Sequence, residues 1–157
     1  VSTSRSARHA PTAQELRIWR DYIETTEAVR AEMTRRLQSE SDLSSSDYSV
    51  LLALSEAPQH RMRSSELASA IGWERSRVSH HLARMERRGL LAREECLTDN
   101  RGAEVVLSEA GSTAFRRASA PHLRDIHELF IEALTPEQVA AAGDIARALR
   151  ARLDERS

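Results

Sequence analysis

Apolar positions recur every three to four residues over most of the chain, which predicts helices for all but one segment. The first helix is expected from about Thr12 to Glu40, where Leu16, Trp19, Ile23, Thr26, Met33 and Leu37 keep an approximate three-four spacing. That stripe, interrupted by Thr26 and Arg30, is long for a lone helix and asks for a partner surface, which a second copy of the chain supplies economically. Ser44 or Ser45 can cap a second helix, with Asp47 strengthening its N-terminus. Tyr48, Leu51, Leu52 and Leu54 make that helix apolar before Pro58 ends it. A short helix from Ser64 to Ile71 has Leu67, Ala68 and Ile71 on one face and breaks at Gly72. The next runs from about Arg75 to Arg88 on Val78, Leu82 and Met85, with Gly89 where a helix commonly ends in a left-handed residue. Two short helices across a glycine-containing turn predict a helix-turn-helix.

The period then changes. Leu90 to Leu97 reads as a strand, Thr98-Asp99-Asn100-Arg101-Gly102 has the residue types of a turn needing positive φ, and Ala103 to Leu107 reads as the returning strand of a wing. Ser108 caps a further helix expected to reach about Ala133, with a kink at Pro121 or a break near Ala120. Thr135, Pro136 and Gln138 give the clearest helix start in the chain: a cap, a proline at the first turn and a capping box. This last helix should run to about Asp154 on Val139, Ile145, Ala146, Leu149 and Leu153.

Projecting the 75–88 helix at about 100° per residue puts Ser76, His80, Ala83 and Arg87 opposite its apolar line, flanked by Ser79 on one edge and Arg77 and Arg84 on the other. Such a surface suits DNA. Arginine can donate two hydrogen bonds to guanine, serine and histidine reach base edges, and small Ala83 admits a thymine methyl. The N-terminal part of the second helix reads bases in helix-turn-helix proteins, which singles out Ser76, Arg77, Ser79 and His80. Arg84, Arg87 and Arg88 are expected on phosphates, and Ser64 and Arg75, at the starts of the two helices, join the candidate contacts. At the wing tip Arg101 could enter the minor groove, with Asp99 to orient it. The plainer alternatives are a solvated arginine-rich face and an ordinary turn.

The segment SELASAIGWERSRVSHHLARMERRGLLAREECLTDNRGAEVVLSEAG resembles the DNA-binding core of the MarR (multiple antibiotic resistance regulator) family of winged-helix transcription regulators. The run SRVSHHLARMERRGLL, the wing Asp99-X-Arg101-Gly102 and the closing LSEAG at Leu107 to Gly111 carry the resemblance, which extends over about Glu15 to Leu153. Trp73-Glu74 departs from it, since that turn more often has an apolar residue and then Ser or Pro. The resemblance implies pairing through the terminal helices and a small, often aromatic or anionic, effector held between those helices and the winged-helix domain. Trp19, Tyr22, Tyr48 and the arginines of the first helix could line such a crevice, and ordinary packing accounts for the same residues.

Composition modifies this only locally. Net charge is −1 and aromatics are 4%, so the core must be aliphatic and nothing global announces a nucleic-acid binder. From His60 to Arg101, however, nine Arg stand against six Asp or Glu, a local excess of the kind that meets phosphate. Every basic residue apart from histidine is arginine. Cys96 is the single cysteine, so no intrachain disulfide is available and a reducing cytoplasm is expected. Cys96 could also sense oxidants beside Arg93 and Arg101, an effect that Glu94 and Glu95 oppose. Adjacent His80 and His81, and His122 and His127 five apart, lack metal-ligand spacing. No catalytic or cofactor motif is present, nor a membrane-spanning stretch or signal core.

The expected architecture is mainly α with a small β-hairpin wing. Residues 1–13 form an arm and 14–42 a dimerisation helix. Residues 43–107 form the winged helix-turn-helix and 108–157 further dimerisation helices. The expected function is that of a homodimeric, non-enzymatic transcription regulator without cofactor or metal. It would bind double-stranded DNA at an inverted repeat, act as a repressor and be released by a small-molecule effector. The alternative is a winged-helix module for protein association that does not bind DNA.

Overall fold

The computed structural model describes residues 10–95 and 103–155. Among these residues six α-helices and three strands follow in the order α1 (Ala13–Glu40), α2 (Ser45–Glu56), β1 (Arg61–Arg63), α3 (Ser64–Ile71), α4 (Arg75–Arg87), β2 (Leu91–Glu95), β3 (Ala103–Leu107), α5 (Glu109–Ile126) and α6 (Pro136–Asp154). The chain divides between Glu32 and Met33, within α1, into two compact units. Among the described residues no helix is long and apolar enough to cross a membrane.

Local chemistry sets the helix starts. The Ser44 hydroxyl accepts from the Asp47 N–H at 3.1 Å while the Asp47 carboxylate accepts from the Ser44 N–H at 2.9 Å, a reciprocal box that fixes Ser44 as the cap of α2. Thr135 and Gln138 make the same exchange at the start of α6. Gly72 and Gly89 are left-handed, with φ of 66° and 72°, and end α3 and α4 where the sequence places the breaks.

In the second unit, one core joins these elements. Leu51 and Leu54 of α2, Leu67 of α3, Val78, Leu82 and Met85 of α4, and Val105 of β3 are fully buried, each side chain contributing roughly 1.5–3 kcal/mol by leaving water. The helix-turn-helix is therefore held from below by α2 and from the side by the sheet.

One expectation needs correction. The sheet is not a two-stranded hairpin: β1 adds to it, in the order β1-β3-β2, with Met62 opposite Val105. Helix α5 passes through Pro121 with no break at Ala120. Past Ile126 the helix runs on to about the expected end, but in a wider form. A single wide turn, His127–Ile131, follows, closed by the Glu132 N–H donating to the His127 carbonyl at 2.8 Å, the i to i+5 bond of a π-type bulge.

Candidate nucleic-acid interface

Helix α4 sorts its residues sharply. Val78, His81, Leu82 and Met85 are buried, whereas Arg75, Ser76, Arg77, Ser79, His80, Arg84 and Arg87 are exposed and Ala83 is half-buried. Residues 75–85 contain no carboxylate. The acidic residues that bracket this run are Glu74 and Glu86, and Glu86 is already engaged. Its carboxylate accepts from the Arg93 Nε at 2.8 Å and the Arg93 backbone N–H at 3.1 Å. These hydrogen bonds, the side-chain one foremost, hold the Glu86 carboxyl below its usual range against the opposing effect of burial. The exposed face is thus left to guanidinium, hydroxyl and imidazole groups.

Where α4 meets α3 and β3 there is a cavity of about 300 Å³, lined among others by Arg63, Ser64, Ser65, Arg75, Ser79 and Arg93. The Ser64 hydroxyl donates to the Ala103 carbonyl at 3.0 Å. Its hydrogen ties α3 to the sheet, and its oxygen retains acceptor capacity only. Asp99, Arg101 and Cys96 lie outside the described residues.

Beneath the exposed face is a polar cluster that the residue pattern did not announce. Asp47 is 3% exposed and His81 6% exposed. The Asp47 carboxylate accepts from Arg88 Nη1 at 2.8 Å, and Arg88 Nη2 donates to the Asp42 carbonyl at 2.6 Å. Arg88, expected on phosphate, gives these two donors to its own fold while its side chain stays 42% exposed. Asp47 Oδ1 lies 3.0 Å from His81 Nε2. On the other side of the ring, Arg84 Nη2 is 2.8 Å from His81 Nδ1. A guanidinium has donors only, so Nδ1 is the acceptor and the ring hydrogen sits on Nε2, which is near Asp47 Oδ1 but makes no well-aligned hydrogen bond to it. His81 is neutral in this arrangement. Burial, above all, holds its pKa below the usual histidine value; the Asp47 carboxylate pulls it upward and the charges of Arg84 and Arg88 push it down. For Asp47 burial acts upward, but the hydrogen bonds from Arg88 and Ser44 and the Arg88 charge prevail, and its pKa is lowered.

The cluster reaches the surface through Trp73. Its indole stands edge-on to the His81 ring, centroids 5.4 Å apart at 80°, and the Arg77 guanidinium lies 4.0 Å over the indole. The signal for His81 was in the helical projection, which sets it about 40° from Met85 on the buried side. Asp47 had no such signal, because its partners are 34 and 41 residues away in sequence.

Of the aromatic residues considered for an effector crevice, Trp19 is 61% exposed and Tyr22 also exposed in the first unit. Tyr48, in the second, packs against Phe115 and His122 with centroids 5.2 and 4.6 Å away, and its hydroxyl is 3.3 Å from Ser119 Oγ.

Comparison with known proteins gives concordant similarities. The MarR family description matches residues 41–102. The transcriptional repressor MprA of Escherichia coli strain K12 is 29% identical over 108 residues, which are 69% of this chain and 61% of MprA. The match thus spans less than two thirds of that relative. Two crystal structures from Streptomyces coelicolor are more alike. Sco3205, a MarR family transcriptional regulator in complex with DNA, is 34% identical with a TM-score of 0.86, covering 90% of this chain and 89% of Sco3205. AbsC, another MarR family transcriptional regulator, is 32% identical with a TM-score of 0.88, covering 94% of this chain and 99% of AbsC.

Proposed function

The chain belongs to the MarR family, and on that footing we propose that it is a homodimeric transcription regulator that binds double-stranded DNA at an inverted-repeat operator, represses from it and is released by a small-molecule effector. The observation that carries this reading is the division of α4, whose buried side is locked into the core while its other side exposes four arginines, two serines and a histidine. Ser76, Arg77, Ser79 and His80 face the groove floor and read bases. Arg75, Arg84 and Arg87 meet phosphates, with the cavity beside Ser64 accommodating backbone oxygens. That Sco3205 is known in complex with DNA supports the DNA partner, and MprA's being a repressor supports the sign of regulation. The effector follows from family membership alone. Exposed apolar residues on α1 and α6 support pairing.

The test is selection of duplexes from a randomised pool, followed by fluorescence anisotropy of the selected and a scrambled duplex across a salt series. Recovery of an inverted repeat, with log affinity falling linearly in log salt, is the expected outcome. Arg77→Ala should cost about 1–3 kcal/mol on the selected duplex and relax discrimination, whereas Arg87→Ala should weaken both duplexes alike and reduce the salt slope by about 1. Absence of any selected sequence, together with binding of an acidic protein partner, would favour the association module instead.

A further inference from the structure

The buried cluster under α4 has a geometry that plain packing does not require. An apolar residue at position 81 would fill the same space between α2 and α4, yet the position holds an imidazole whose two nitrogens face groups of opposite kind, a carboxylate at 3.0 Å and a guanidinium at 2.8 Å. Both arginines in contact with this cluster from the exposed side belong to the face assigned to DNA. Arg84 is bound by the ring directly. Arg77 is bound through Trp73, whose edge-on indole is braced by the same ring and whose face carries the guanidinium. A guanidinium stacked on an aromatic face keeps its in-plane donors available for hydrogen bonding.

Resting on the DNA-binding reading, we propose that His81 is a positioning residue for recognition: in its neutral form it holds Arg84 directly and Arg77 through Trp73, and a proton on Nδ1 releases both, so that sequence discrimination depends on the protonation of one buried ring. The charged groups that face the ring are Asp47 from α2 and Arg84 and Arg88 from α4, and the turn before α4 contributes Trp73. A proton on Nδ1 has nowhere to go in the present geometry. It points at a donor, replaces an accepted hydrogen bond with a contact between like charges, and pushes Arg84 off the ring. Asp47 is not a sufficient counterweight, because its carboxylate already neutralises Arg88 at 2.8 Å. The displaced ring removes the brace from Trp73, and Arg77 gains rotamer freedom it must lose again on binding a base.

Protonation also adds a positive charge near the phosphates, which favours every duplex equally, so the diagnostic quantity is the ratio of affinities for selected and scrambled duplexes and not either affinity alone. In the wild-type chain this ratio should fall roughly tenfold as pH is taken from about 7.5 down through the lowered pKa of the buried ring, that is, below the ordinary histidine range. His81→Gln keeps an amide oxygen that can accept from Arg84 but does not titrate, and its ratio should stay flat over that range. Trp73→Leu should lower the ratio at the upper pH and reduce its dependence on pH, with Trp73→Phe restoring part of both. Thermal melts at each pH identify any variant that has lost its fold. For such a variant, the imidazole resonances of the wild-type protein still report whether His81 titrates together with the Trp73 indole signal. Equal pH dependence in wild type and His81→Gln would overturn the proposal. Wild-type discrimination that is insensitive to pH while His81 is shown to titrate would overturn it as well. Failure to select any duplex defeats the DNA reading itself, a result separate from either of these.

Discussion

Asp47 shows how much a single side chain carries in this fold. One oxygen closes the capping box of α2 and accepts from Arg88, while the other faces His81, and the group is 3% exposed. Asp47→Ala removes the cap partner and strands a guanidinium and a buried imidazole at once. A loss of about 2–4 kcal/mol is expected, read as a lower urea midpoint. The pH dependence follows from the two lowered pKa values. The His81 contribution is complete above the ordinary histidine pKa. It declines as pH falls below that value, because the unfolded ring takes a proton that the folded ring resists, and the decline ends once pH passes the lower folded value. The Asp47 contribution is complete above the ordinary carboxylate pKa and is lost as pH falls through its lowered folded value. Acidification should therefore weaken the fold first through His81 and, at lower pH, through Asp47. Urea midpoints measured against pH should show the upper step vanish in His81→Gln and the lower one in Asp47→Asn; a single step in wild type that survives both substitutions would refute the assignment.

The elements were legible wherever their signal is local, and less so where it is made by distant partners. The helix-turn-helix and the box at Thr135 were visible because a cap, a glycine and an apolar stripe lie within a few residues of each other. Strand β1 was not, since Arg61-Met62-Arg63 is too short for an alternating pattern and exists by pairing with Val105 and its neighbours. At Pro121 local chemistry left a kink and a break as alternatives, and α5 continues through it to Ile126 without a break. For the interface, a projection of one helix located its exposed face correctly, while the supports beneath it, Asp47 and Trp73, depend on contacts between elements. The junction of β3 with α5 yields a test of the same kind. A Cβ placed on Gly111 would lie 1.9 Å from the Leu90 carbonyl oxygen, backbone that cannot swing aside. The Ser108 hydroxyl adds to the constraint by donating to the Gly89 carbonyl at 2.6 Å and accepting from the Gly111 N–H at 2.9 Å. Gly111→Ala should destabilise the protein by about 1–3 kcal/mol or more. Thermal unfolding measures this, and an unchanged melting temperature would mean that α5 does not approach Leu90 so closely.

At the scale of the whole molecule, the helices at the two ends pose the same physical problem separately. Leu16, Ile18, Trp19 and Tyr22 of α1 are exposed, and α6 has no buried residue, with Leu149 54% exposed. A helix in water draws most of its stability from an apolar face packed against something, and a cap at Thr135 supplies only about 1 kcal/mol. A well-started 19-residue α6 with nothing buried is therefore expected to be completed by a second copy, through an interface on the order of 2,000 Å². Leu149→Glu distinguishes the two possibilities. In a monomer it replaces an exposed residue and should change stability by less than about 0.5 kcal/mol. In a dimer it places a carboxylate in an apolar interface, so light scattering should show the mass fall from twice 17.6 kDa to 17.6 kDa. Since a dimer engages its second half-site intramolecularly, the same substitution should reduce affinity for an inverted repeat by about a hundredfold or more while leaving affinity for an isolated half-site unchanged. A wild-type chain that is monomeric at assay concentration and still binds the inverted repeat at full strength would show that α6 serves another partner.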